Sequence, residues 1–175
     1  SGISSEMKRI ELCDWLVIQE MNGNILGAAG IGSLLNTTTL QIGKNFRSKG
    51  IGPKIFVEFV NEAKKRKYSF LLGSTEASNI ASSRIHEFVD MHVVFRIPYS
   101  KDRILDIRFL PFNVKGKIIE KIFRLFNSRF GMLILACVLK ISQPLYPKLL
   151  GHFVDDGRYV LKPSISWIMK NFTKI

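Results

Sequence analysis

Residues 46–56 read FRSKGIGPKIF, a charged turn with two glycines set between two different periodicities. Before it, Thr37 to Ile42 is β-branched and alternating, which predicts a strand. After it, Ile55, Phe56, Phe59, Val60 and Ala63 recur at helical spacing, with Lys54, Glu58, Glu62 and Lys65 between them. A strand turning through glycines into an amphipathic helix demands a layered α/β arrangement, because each element has an apolar side to bury against the other. Glycine supplies the positive φ of such a bend, so a plain turn is one reading. Two nucleotide-binding readings fail on missing residues. No GxxxxGK is followed by Ser or Thr, and after Gly50 and Gly52 the third glycine position of a dinucleotide fingerprint holds Ile55. A third reading stays open: amides at a helix start, together with the helix dipole, Arg47 and Lys49, form an anion cradle.

The rest of the first hundred residues fits the same class. Trp15 to Met21 reads as a strand, Asn22-Gly23-Asn24 as a hairpin turn, and Ile25 to Leu35 as the return strand. The small residues Gly27, Ala28, Ala29, Gly30 and Gly32 predict a bulge or a close backbone approach. A short strand over Tyr68 to Leu72, a polar loop over Ser74 to Asn79, a helix over Ala81 to Val89 and a strand over Val93 to Tyr99 follow. The fold class expected is α/β with a mixed sheet. Beyond residue 100, Ile104 to Pro111 is a strand of the same sheet or an extended arm. Lys115 to Asn127 is a helix whose Ile118, Ile119, Ile122, Phe123 and Phe126 predict one core-facing stripe, with Lys115, Lys117, Lys121 and Arg124 opposite. An apolar stretch to Leu139, a segment punctuated by Pro144 and Pro147, and a short helix over Ser164 to Phe172 complete the chain. The expected division is a domain over 1–100 and a basic, mostly helical extension over 101–175.

Charge bounds the partners. The 175 residues carry a net charge of +12, of which +9 falls in residues 101–175. Anionic partners are expected, and a basic amphipathic segment over 115–139 suits peripheral contact with a membrane. Nucleic acid is disfavoured, because the basic residues are spread over several segments and no reading module is present. Cys13 and Cys137 belong to no CxxC, so buried thiols in a reducing, cytoplasmic compartment are expected, with neither disulfide nor metal. The longest uninterrupted apolar run, Met132 to Leu139, is too short to span a bilayer.

Arg47-x-x-Gly50-x-Gly52 resembles the acyl-CoA signature [Arg/Gln]-x-x-Gly-x-[Gly/Ala] of the GNAT superfamily of N-acetyltransferases. WLVIQEMNGNILGAAGI is similar to that family's central hairpin, and TLQIGKNFRSKGIG to the strand and turn that follow it. Asn79-Ile80-Ala81-Ser82-Ser83-Arg84-Ile85-His86-Glu87 resembles the segment beside the cofactor thiol, in the form seen in phosphinothricin-acetyltransferase-like members. The resemblance runs from about Trp15 to Tyr99. It implies acetyl transfer from acetyl-CoA to an amine by direct attack, with a small-molecule or a lipid- or sugar-linked acceptor. The amides of Arg47, Ser48, Lys49, Gly50, Ile51 and Gly52 would hold the pyrophosphate. The backbone of Leu40, Gln41 and Ile42 would pair with pantetheine, with Asn79 and Ser82 beside the arm. His86 stands where many members carry a tyrosine that protonates the departing thiolate, and Glu76 or Glu20 would serve as general base. Neither cysteine looks placed for a covalent intermediate.

Three departures from the family pattern stand out. Pro53 deletes a cradle N–H, and Asp90-Met91 replaces the usual Gly-Phe. Only about fourteen residues precede Trp15, where the family has a strand and two helices, so the chain is expected to be a fragment or to rebuild the acceptor side from 101–175. The alternative expectation is a non-catalytic CoA-binding or membrane-peripheral scaffold that keeps the fold.

Overall fold

The computed structural model describes residues 13–19, 22–32, 36–100, 103–142 and 164–175, excepting the side chains of residues 13–19, 32, 99 and 100. Six strands form one mixed sheet: β1 (Cys13–Gln19), β2 (Ile25–Gly32), β3 (Thr37–Ile42), β4 (Phe70–Glu76), β5 (His92–Ser100) and β6 (Arg103–Pro111), in the order β1-β2-β3-β4-β6-β5. The described helices are α1 (Ile51–Lys65), α2 (Ile80–Phe88), α3 (Val114–Arg124), α4 (Arg129–Ile141) and α5 (Ile165–Lys170). All neighbouring strands run antiparallel except β3 and β4, which the α1 crossover makes parallel.

The hairpin turn forms as expected. Gly23 takes φ +85°, and the Asn24 N–H donates to Asn22 Oδ1 at 3.0 Å. The close approach predicted along β2 sits at Gly27, where a Cβ would come 2.6 Å from Gln41 O and 2.7 Å from Ile55 Cδ1. The missing side chain lets α1 lie on β2. Strand β4 runs four residues further than the sequence pattern predicts. Ser74 to Glu76 are strand rather than loop, because β6 pairs with them through Ile107, Asp106 and Leu105.

Alternation along β4 and β6 sends side chains to two cores. Leu71 joins Ala29, Ile31, Ile55, Phe56, Phe59, Val60, Ala63 and Met91 under α1 and α2. Phe70, Leu72, Phe95, Ile107 and Phe109 face the other way, against Met132, Ala136 and Ile168 of α4 and α5 and Phe123 of α3. There the Phe70 and Phe109 rings stack at 4.9 Å. The division expected at residue 100 therefore runs through the sheet. Arg103–Pro111 is an inner strand between β4 and β5, and the helices after it cover one sheet face. The stripe predicted on α3 is split as well: Ile119 and Phe123 pack on that core, with Phe126 just beyond the helix, while Ile118 and Ile122 stay exposed. Cys137 is half-buried rather than buried, and the side chain of Cys13, residues 1–12 and the segment with Pro144 and Pro147 lie outside the described residues.

Helices α1 and α2 end alike. Tyr68 N–H donates to Ala63 O at 3.1 Å and Lys67 N–H to Lys64 O at 3.0 Å, with Lys67 at φ +61°. Met91 N–H donates to His86 O at 2.9 Å and Asp90 N–H to Glu87 O at 3.0 Å, with Asp90 at φ +61°. Both are Schellman closures, which normally place glycine at the left-handed position. Asp90 thus makes the turn that a glycine makes in the family motif. Replacing Lys67 with glycine removes the Cβ strain and should raise stability by about 0.5–1 kcal/mol, read as a higher urea midpoint. Gly116→Ala should lower it by about 1–3 kcal/mol, because the new Cβ would meet Ser69 O at 2.1 Å.

Candidate active site

Strands β3 and β4 share a single register pair, Thr37 with Leu72, and then part. Asn36 pins the joint. Its carbonyl accepts from Leu72 N–H at 3.0 Å and its Nδ2 donates to Phe70 O at 3.2 Å, with the backbone at φ +50°, which asparagine tolerates. Beyond the joint, β3 stays paired with β2 through Leu40, Gln41 and Ile42, while its other edge faces the parting. Gly43 N–H points back to Leu26 O at 2.9 Å. The carbonyl of Ile42, on the same planar peptide, therefore points toward the open edge. Arg47 Nε donates to it at 3.3 Å. Backbone polar groups on such an edge need partners, and an extended ligand supplies them as an added strand does.

The turn after β3 brings its amides to this opening. Ser48 at φ +60° and Gly50 at φ +70° bend the chain into α1, for which Gly50 is the N-cap. The N–H groups of Ile51 and Gly52 are the first of the helix and have no carbonyl within it to bond. Pro53, third in the helix, takes the next donor away at a position where proline fits the first turn. No acidic side chain occupies that turn, so the positive helix end is not neutralised, and Lys44, Arg47, Lys49 and Lys54 are exposed around it. The two glycines serve different needs. Gly50 provides the left-handed bend, and a Cβ on it would meet nothing within 4 Å, so open space lies beside it. A Cβ on Gly52 would come 2.9 Å from Ile85 Cδ1, so this glycine admits α2.

That contact joins the two sequence motifs. Helix α1 covers β2 and β3, α2 covers β4, and the pair straddles the parting, with Phe56 and His86 in edge contact at 5.2 Å. Asn79 caps α2, its Oδ1 accepting from Ser82 N–H at 3.1 Å. Ser82 Oγ lies 3.2 Å from Thr75 Oγ1 on β4. His86 is buried, with Nδ1 2.7 Å from Ser82 O and 3.3 Å from Thr75 Oγ1. A carbonyl only accepts, so Nδ1 carries the proton and Nε2 the lone pair. Nε2 lies over Gly73, where a Cβ would come within 3.1 Å of it. Burial pushes the imidazole below its ordinary value. The Ser82 carbonyl opposes that shift, Arg108 adds to it and Glu87 opposes it. The ring is therefore neutral at pH 7.

Glu76 and His86 are not brought together. Thr75 points to α2, so its neighbour Glu76 points to the opposite face, where it pairs with Arg103. Glu20 lies outside the described residues. Sequence reasoning passed over Asn36, Gly73 and Thr75. The alternation of Leu71, Gly73 and Thr75 marks the α2 face, but only once the strand is known to reach Glu76. It also passed over Arg108, buried beside α2 with NH2 3.2 Å from Glu87 Oε1 and Nε without a hydrogen-bond partner.

No protein-family model matches the sequence, and no curated protein does. Solved structures do. One is YncA of Salmonella typhimurium, solved with its cofactor acetyl-CoA: 21% identity, TM-score 0.54, covering 64% of this chain and 72% of that one. A second is the ribosomal-protein-S18-alanine N-acetyltransferase of Escherichia coli: 17% identity, TM-score 0.55, covering 65% and 78%. A third is the GNAT superfamily phosphinothricin acetyltransferase of Sinorhizobium meliloti in complex with acetyl-CoA: 12% identity, TM-score 0.54, covering 65% and 70%. The chain has the GNAT acyl-CoA N-acyltransferase fold.

A histidine held neutral in the native state leaves a pH signature. Below about pH 6.5 the unfolded chain takes up a proton that folded His86 refuses. Stability should therefore fall as pH drops through that range, and level off below the folded value. The urea midpoint of the wild type should decline between pH 7.5 and 5.5, and that of His86→Gln should decline less. Glu120 acts in a separate window. Burial alone would raise its carboxyl, but bonds from Arg124 and His92 hold it below the ordinary value, so its contribution is lost at more acid pH.

Proposed function

We propose that this chain transfers an acetyl group from acetyl-CoA to an amine. The observation that carries the reading is the parting of β3 from β4 after one pair, beside a turn whose amides open α1. The acetyltransferases that share the fold, two of them solved with acetyl-CoA, support it. In this reading the open space beside Gly50 takes the pyrophosphate. The amides of Ser48 to Gly52 hold it, and Arg47 and Lys49 add charge. Pro53 leaves Ile51 and Gly52 as the helical donors. Pantetheine lies along the parted edge of Leu40 to Ile42, with Asn79 and Ser82 across from it.

Acetyl-CoA supplies the thioester. Attack by the amine nitrogen forms a C–N bond, the C–S bond breaks, and the proton lost by nitrogen balances the one gained by sulfur. A backbone N–H on the parted edge would stabilise the developing oxyanion. His86 enters as a positioning residue: its proton is committed to the Ser82 carbonyl, so it seats α2 against β4. Glu76, paired with Arg103 on the face away from α2, would take the amine proton for an acceptor that reaches the parting from that face. The acceptor is a small-molecule amine or one carried on a lipid or sugar.

Acetyl-CoA at about ten times its Kd should stabilise the fold by about 1.4 kcal/mol, or about 3–6 °C in Tm. Gly50→Glu should abolish the shift by setting a carboxylate in the cradle. Gly50→Asn, which tolerates the same backbone, also puts its side chain in that space, so it should lose most of the shift while keeping a ligand-free Tm close to the wild type's. Free-thiol release over a panel of amines then tests turnover. No shift at millimolar acetyl-CoA overturns the reading. A shift without thiol release leaves a CoA-binding module in place of the enzyme.

A further inference from the structure

Helices α3 and α4 are apolar on two sides. Helix α3 turns Ile119 and Phe123 to the core, yet Val114, Ile118 and Ile122, with Leu125 just past its end, are exposed, Ile118 at 57% and Ile122 at 52%. Helix α4 buries Met132 and Ala136, yet Phe130, Ile134, Val138 and Ile141 are exposed, Phe130 at 73%. Each exposed set recurs at three- and four-residue spacing, so each is a continuous stripe along its helix. A lone exposed apolar side chain needs no account, but a stripe along each of two consecutive helices does.

The charges around the stripes have one sign. Lys115, Lys117, Lys121, Arg124, Arg129 and Lys140 lie on the two helices, and the one acidic residue of 114–142, Glu120, is engaged by His92 and Arg124. No single helix among the described residues is long and apolar enough to cross a membrane, and the α3–α4 pair bends by 100° between its two parts. An angled pair of basic amphipathic helices packed on one sheet face is suited to lying along a surface rather than crossing it.

We propose that the outer face of α3 and α4 is a docking surface for an anionic lipid bilayer. The apolar stripes enter the boundary between headgroups and acyl chains, and the lysines extend their stems along it to reach the phosphates. Charge selects this occupant. A second copy docked symmetrically would set two cationic faces against each other. The core of a protein interface is depleted of lysine, whereas four of the six cations here are lysines.

Flotation of the full chain with phosphatidylcholine vesicles, and with vesicles containing about 30% phosphatidylglycerol, tests the proposal. The chain should float with the anionic vesicles only, and raising the salt to about 0.5 M should weaken the partition about tenfold. Phe130→Ser with Ile134→Ser should weaken it about tenfold at unchanged Tm, since both sites are exposed. Hydrogen exchange on the wild type needs no variant and should show vesicle-dependent protection confined to α3 and α4. Three results overturn the proposal: equal binding to neutral and anionic vesicles or none to either, protection elsewhere only, or a dimer in sedimentation that the serine variant dissociates. The assay contains no acetyl-CoA, so its outcome is independent of the activity proposed above.

Discussion

The parting of two parallel strands governs this molecule. Inside a sheet, backbone N–H and C=O groups are normally satisfied by the neighbouring strand, and a buried group left without a partner is destabilising. Here β3 and β4 hold one register pair at Thr37 and Leu72, with Asn36 bonding across the joint from both its backbone and its side chain. The sheet is then held from outside: β1 and β2 flank β3, β6 and β5 flank β4, and helices cover both faces. The opening sits between two independently supported halves, so the fold tolerates it.

The halves are coupled above the opening by contacts that depend on small residues. Gly27 lets α1 onto β2, Gly52 lets α2 onto α1, and Gly73 makes room for His86. The polar groups that this packing buries are largely paired. Thr75, Ser82 and His86 bond one another at the α2–β4 contact, and Arg108 reaches Met91 O and Glu87. Removing one partner from such a set is more destabilising than the net worth of any one bond, because the other is left buried and unpaired. The arrangement holds α2, and with it the Asn79 cap, in a fixed place beside the opening.

Much of the fold was legible in the sequence because its signals are local. The hairpin at Asn22 to Asn24, the periodicity of α1 and α2, and the turn from Arg47 to Gly52 each rest on residues within a few positions of one another. Signals that depend on a distant partner were not legible. Ser74 to Glu76 look like a loop until β6 pairs with them, and residues 103–111 look peripheral until they are seen between β4 and β5. In α3 the periodicity marks apolar positions but not which of them face the sheet, so Ile118 and Ile122 could not be told from Ile119 and Phe123.

The sequence by itself determined the first hairpin, helices α1 and α2, the left-handed bend at Gly50, the proline in the first turn of α1 and the two motifs. These follow from backbone sterics and side-chain spacing, which act over one or two turns of chain. Only the tertiary structure decided that the motifs meet at Gly52 and Ile85, that His86 is buried and neutral, and that Glu76 points to the other face. Burial, and the charge state that follows from it, depend on what the rest of the chain packs against a residue, and no local stretch of sequence contains that information.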